Sequence, residues 1–81
     1  MPRVTGLVTA SGEAAANAYV QLRNRHGDFC GEVHTDEEGH FVLYAVPGHW
    51  QLVSWLPGQG QAEREVEVTG GDVDVTIPLA G

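Results

Sequence analysis

The chain has 81 residues, enough for one domain spanning 1–81 with a thin core. Its formal net charge is −7, from 11 acidic residues against 4 basic ones, all arginine (Arg3, Arg23, Arg25, Arg64). That balance opposes nucleic acid or anionic lipid as a partner, and the lack of lysine removes Schiff-base chemistry, a P-loop and a Lys–Asn cross-link. The single cysteine, Cys30, has no internal partner for a disulfide. No apolar run follows Met1 to suggest a signal peptide, and no stretch approaches the ~20 apolar residues of a membrane span. A cytoplasmic protein is expected, or an extracellular module if the chain is part of a longer one.

Arg3 to Thr9 is a short β-branched run, read as a strand with Gly6 marking a bulge or a close backbone approach. Glu13 to Asn17 is too short for an independent helix and is read as a loop. Ala18 to Arg23 alternates, with Ala18, Val20 and Leu22 on one face. Asn24 to Asp28 is a turn. Phe29 to His34 follows, with Phe29, Gly31 and Val33 expected inward and Cys30, Glu32 and His34 outward.

Thr35-Asp36-Glu37-Glu38-Gly39 is the clearest turn of the chain, and Phe41 to Tyr44 the strand after it. Read as a hairpin, it sets Val33 opposite Phe41, His34 opposite His40, Glu32 opposite Val42 and Cys30 opposite Tyr44. Pro47-Gly48 ends that strand, since proline cannot donate to a ladder. His49 to Leu56 is next, with Trp50, Leu52 and Ser54 on one face and Gln51, Val53 and Trp55 on the other. Pro57 to Gln61 is a loop, Ala62 to Val68 alternates glutamate with apolar residues, and Val73 to Leu79 closes the chain with its odd positions inward. Seven short strands with turns every ~8–12 residues specify an all-β sandwich. Trp50, Phe41 and Phe29 are expected at its centre.

Four segments carry a family likeness: Val4-Thr5-Gly6-Leu7-Val8, Ala18-Tyr19-Val20-Gln21-Leu22, Thr35 to Phe41, and Pro47-Gly48-His49-Trp50-Gln51-Leu52. Together they resemble the carboxypeptidase regulatory-like domain, a transthyretin-like (prealbumin-type) seven-stranded Greek-key sandwich. The chain is similar in particular to an uncharacterised actinobacterial family of free-standing domains of this type. Some members of that family are associated with genes for thiosulfate sulfurtransferases, which implies a cytoplasmic accessory role. Glu13-Ala14-Ala15 departs from the proline that relatives often carry there. Enzymes sharing the broad fold have signatures this chain lacks. It ends Ile77-Pro78-Leu79-Ala80-Gly81 rather than in the Tyr-Arg-Gly-Ser of hydroxyisourate hydrolases, and no spacing assembles the two tyrosines and two histidines of an intradiol dioxygenase.

His34 and His40, facing across the expected hairpin, are the weak candidates for a metal site. Cys30 cannot join His34 on one ion, because i,i+4 on a strand spans roughly 13 Å. Acidic neighbours disfavour a reactive Cys30 thiolate, and a half-buried structural cysteine is expected. Asp36-Glu37-Glu38 and Asp72/Asp74 read as solvated acids rather than calcium ligands. Tyr19, Val42, Tyr44, Val53 and Trp55 all fall opposite the expected core. If their strands share a sheet they form one exposed aromatic face, which marks a contact surface. The expected function is a non-catalytic interaction or accessory module, with no cofactor, whose partner is another protein or a second copy. A small-molecule or carbohydrate binder using the same aromatics is the alternative, and a metal-binding protein through His34 and His40 comes third.

Overall fold

A computed structural model describes residues 1–79. Eight strands and no helix lie among the described residues: β1 Arg3–Ala10, β2 Glu13–Ala14, β3 Tyr19–Arg23, β4 Phe29–His34, β5 His40–Tyr44, β6 Gly48–Trp55, β7 Gln61–Val68 and β8 Val73–Leu79. The first sheet is centred on β1. It pairs in parallel with β8 along one side, and antiparallel with β5 and then β2 along the other. The second sheet is antiparallel throughout, in the order β4-β3-β6-β7. The two sheets pack as a sandwich. The all-β expectation holds, with eight strands rather than seven because β2, a two-residue strand, forms in the segment read as a loop.

Alternation fills the space between the sheets. Val4 and Val8 of β1, Phe41 and Leu43 of β5, and Val75, Ile77 and Leu79 of β8 are buried from one side. Val20, Leu22, Leu52, Val66 and Val68 are buried from the other. Each such side chain contributes about 1.5–3 kcal/mol when removed from water. Trp50 is half-buried against this cluster and its indole Nε1 donates to the Val46 carbonyl at 2.8 Å. Trp50 is thus peripheral rather than central.

Three expectations need correction. The Thr35–Gly39 turn does not close a hairpin: β4 pairs with β3 in one sheet and β5 with β1 in the other. Val33 therefore faces Val20 across its ladder and Phe41 faces Gly6. Phe29 lies outside the core, with 61% of its surface exposed. The β3–β4 register slips by one residue beyond Leu22, so Phe29 pairs with Arg23 and takes that residue's outward face. Cys30 is the extra residue of this bulge. It is exposed rather than half-buried, and its Sγ lies 3.5 Å from the Asp28 carbonyl.

The connection order leaves the sandwich with two unlike flanks. On one flank, β7 and β8 lie beside each other, and Arg64 of β7 donates from Nη1 to the Thr76 carbonyl of β8 at 3.0 Å. On the other, β4 and β5 are the outer strands of their sheets, joined by the Thr35–Gly39 turn.

Candidate interaction surface

The turn that delivers β5 is held by three residues with separate tasks. Thr35 is buried at 3% exposure. Its hydroxyl accepts the Ala18 amide at 2.8 Å and donates to the Ala15 carbonyl, tying the 15–18 segment to the end of β4. Asp36 folds the turn itself. Its Oδ1 accepts the backbone amides of Glu38 and His40, each at 2.9 Å. The amide bond from His40 is the main reason the Asp36 carboxyl sits below its ordinary pKa. The Glu38 amide and the charge of His40 add to it, while desolvation opposes it. Gly39 has φ 79° and is buried, and a Cβ there would stand 2.7 Å from the Val8 carbonyl oxygen. The sequence marked the turn but not the burial of Thr35. A threonine directly before an aspartate-led turn was the available signal.

The phase of the β1–β5 ladder decides what β5 offers outward. Ala45 donates to Pro2 at 3.2 Å and Val8 donates to Gly39 at 2.8 Å. These bonds place the hydrogen-bonded pairs at the odd positions of β5, so Phe41 and Leu43 turn their amides and carbonyls toward β1. His40, Val42 and Tyr44 turn theirs to the open edge. Asp36 occupies those of His40, accepting its amide at Oδ1 and donating its own amide to the His40 carbonyl at 2.9 Å. Among the described residues, Val42 and Tyr44 retain unpartnered backbone groups on that edge.

The same two residues expose their side chains, Val42 at 46% and Tyr44 at 59%. Thr5 and Arg3 of β1 stand beside them in register. Those neighbours are held from the far side: Thr5 donates its hydroxyl to Asp74 at 3.0 Å, and Arg3 pairs with Asp72 at 3.4 Å. Met1 and Val46, also exposed, adjoin the end of β5 through the Ala45–Pro2 bond. Asp72 and Asp74 thus serve β1 rather than forming a separate acidic site.

Tyr19, Val53 and Trp55 lie on the other sheet, so the five residues expected to form one face are divided between two. Tyr19 and Trp55 are cross-strand partners whose rings stack at 5.1 Å with an 11° interplanar angle. His34, the partner of Tyr19 on its other side, meets it edge-on at 4.5 Å. One face of each stacked ring is therefore spent within the protein. Val53 points outward yet is 2% exposed. Gln21 and Glu63 oppose it on the flanking strands, and both are tied into hydrogen bonds, Gln21 to Glu32 and Glu63 to Gln51.

The expected His34–His40 pair does not form. His34 stands on β4 beside Tyr19, with its Nε2 3.7 Å from Glu32, whereas His40 stands on β5 beside Leu7. No group of three or more metal-ligating side chains lies together among the described residues. No helix among them is long and apolar enough to cross a membrane.

Two packed β-sheets define the chain as an all-β sandwich domain. The chain belongs to the DUF1416 family of proteins of unknown function, whose family model matches residues 2–78. An uncharacterised protein of Mycobacterium tuberculosis, Rv0814c, is 33% identical over 78 residues, covering 91% of this chain and 77% of the relative. An uncharacterised protein of Mycolicibacterium smegmatis is 35% identical over 78 residues, covering 91% of this chain and 86% of that one. Among solved structures, a DUF3823 family protein from Parabacteroides merdae superposes with a TM-score of 0.67 at 17% identity, over 98% of this chain and 45% of that chain. The Bacillus anthracis TIE protein superposes with a TM-score of 0.73 at 15% identity, over 96% of this chain and 16% of that chain. The chain thus spans less than half of either structural neighbour, and the likeness to them is one of fold.

Proposed function

We propose that this domain is a non-catalytic interaction module that binds a partner protein through the outer face and free edge of β5. One observation carries the reading: Val42 and Tyr44 expose both apolar side chains and unpartnered backbone groups at the same place. Exposed apolar surface next to an open sheet edge costs solubility and invites association, so a contact there has a physical rationale. Of the two histidines considered for a metal, His34 stands beside Glu32 on one sheet and His40 stands on the other. Of the three aromatics considered for sugar binding, Tyr19 and Trp55 each spend one ring face on the other, and Tyr44 stands on the opposite sheet.

The finer ancestry belongs to the same reading. The buried Thr35, the Asp36-capped turn and the constrained Gly39 give structural meaning to the Thr-Asp-x-x-Gly-x-Phe motif, which supports a carboxypeptidase regulatory-like, transthyretin-like Greek-key descent. A cytoplasmic location fits an exposed, unpaired Cys30 thiol.

The test compares wild type with Val42→Ser/Tyr44→Ser as bait for partners from cells that make the protein, alongside light scattering of each. Both positions are exposed, so the fold should be retained. A partner held by wild type and lost by the double variant supports the reading. An unchanged set of partners contradicts it, and an oligomer that the variant dissolves makes the partner a second copy.

A further inference from the structure

Apart from the two-residue β2, the outer strands of the sandwich differ in how they resist pairing with another chain. β7 carries Glu63, Glu65 and Glu67, all exposed. β8 carries Asp74 and Pro78, and Arg64 occupies its Thr76 carbonyl. β4 is broken by the bulge at Cys30 and carries Glu32. These are the usual protections of a sheet edge: charge, proline, a bulge, a covering side chain. β5 has none of them over Phe41–Tyr44. Its only interruption is at His40, whose outward amide and carbonyl are taken by Asp36. The open stretch therefore begins at Val42.

Charge indicates what would fit there. The turn immediately before β5 carries Asp36, Glu37 and Glu38, all exposed. None of the three makes an ion pair among the described residues, where Arg3 is paired with Asp72 and Arg64 with a carbonyl. The whole chain carries −7, which disfavours a second copy and favours a positively charged partner.

We propose that β5 takes up an extended basic segment of a partner protein as an added strand, paired on the backbone groups of Val42 and Tyr44 with its positive side chains beside the Asp36–Glu38 turn. This rests on the interaction reading above and specifies its mode and its partner chemistry. Backbone bonds supply affinity in strand addition, and alternate side chains supply selectivity. An antiparallel strand, the more stable pairing, would run past Tyr44, then Val42, then the acidic turn. Its apolar residues would then come first, at alternate positions over Val42 and Tyr44, and its Lys or Arg residues would follow on the C-terminal side.

The probe is a short-peptide display library selected on the intact immobilised domain, with winners resynthesised and titrated in solution. The expected winners carry alternating β-branched or aromatic residues followed by Lys or Arg, and perturb the amide resonances of Val42 and Tyr44. Val42→Pro removes an outward amide while sparing the bonds to β1, and should weaken them about tenfold or more. Tyr44→Pro does the same at the second position. Glu37→Gln/Glu38→Gln should weaken them and flatten their dependence on salt, and it alters only exposed side chains. Circular dichroism and protected Phe41 and Leu43 amides establish that a proline variant is folded. Winners that bind the folded proline variants as well as wild type would overturn strand addition while leaving an interaction module standing. Winners without basic residues, indifferent to the glutamate change, would overturn the partner chemistry. A concentration-dependent dimer abolished by Val42→Pro would make a second copy the occupant and overturn it too. A library yielding no binder would overturn both this proposal and the interaction reading on which it rests.

Discussion

The ring of Phe41 lies over Gly6 on the neighbouring strand. The two residues are ladder partners on β5 and β1, and the ring fills the space where a side chain of Gly6 would stand. A Cβ at Gly6 would overlap the ring edge and lie 2.8 Å from the Val75 carbonyl oxygen. The glycine in the middle of β1 thus buys a core position for the one buried phenylalanine. Gly6→Ala should destabilise the domain by about 1–3 kcal/mol through overpacking, read from the denaturant midpoint. An unchanged midpoint would mean that the ring has somewhere else to go.

Thr35 makes a second point where one atom matters. Thr35→Val keeps the shape but leaves the Ala18 amide without its acceptor and the Ala15 carbonyl without its donor. Each unsatisfied buried group costs about 1–3 kcal/mol, so the variant should lose more than Gly6→Ala, and Thr35→Ser much less. A valine variant with a higher midpoint than the serine variant would show that the methyl group, rather than the hydroxyl, holds the turn.

Asp36 gives the domain an acid-sensitive element. Its carboxyl is depressed below the ordinary value, chiefly by the His40 amide, so the folded state binds its proton less tightly than the unfolded chain does. The stabilisation is fully present above the ordinary carboxylate pKa of about 3.9, and is lost as pH falls through the lower folded value. Asp36→Asn does not titrate. Wild type should therefore exceed the variant in thermal midpoint at neutral pH, with the gap closing only under acid conditions below pH about 4. A gap independent of pH would assign the effect to geometry alone.

Ser54 predicts the opposite sign. Its hydroxyl is fully buried between the sheets and has no hydrogen-bond partner. Val20 and Ala62 oppose it on the flanking strands. Ser54→Ala should be neutral or stabilising by up to about 1 kcal/mol, since it removes an unsatisfied polar group at little cost in volume. A clear loss of stability would reveal an ordered water holding that hydroxyl.

Alternation carried much of the fold from the sequence. Ala18, Val20 and Leu22, and Val75, Ile77 and Leu79, are buried on the faces their spacing assigns, while the spacing of β1 left open which of its faces Val4 and Val8 would bury. The passage from β4 to β5 was not legible, because a five-residue turn serves a hairpin or a crossing between sheets equally well. Periodicity says which side of a strand is apolar and nothing about its neighbour. Phe29 was misplaced for a related reason: a single-residue bulge inverts every face beyond it, and Cys30 looks like any other strand residue. Val53 shows a further limit, being covered by long polar side chains on the outer face rather than by the core. Of the expected contact face, Val42 and Tyr44 stay exposed together, while Tyr19, Val53 and Trp55 belong to the other sheet.

The openness of β5 is what the account of function stands on, and amide hydrogen exchange in the isolated domain reads it directly. Phe41 and Leu43 should exchange slowly, because their amides bond to β1, while Val42 and Tyr44 between and beside them exchange at rates near those of a solvated chain. Uniform slow exchange across Phe41–Tyr44 would show that the edge is already covered, and would contradict the account.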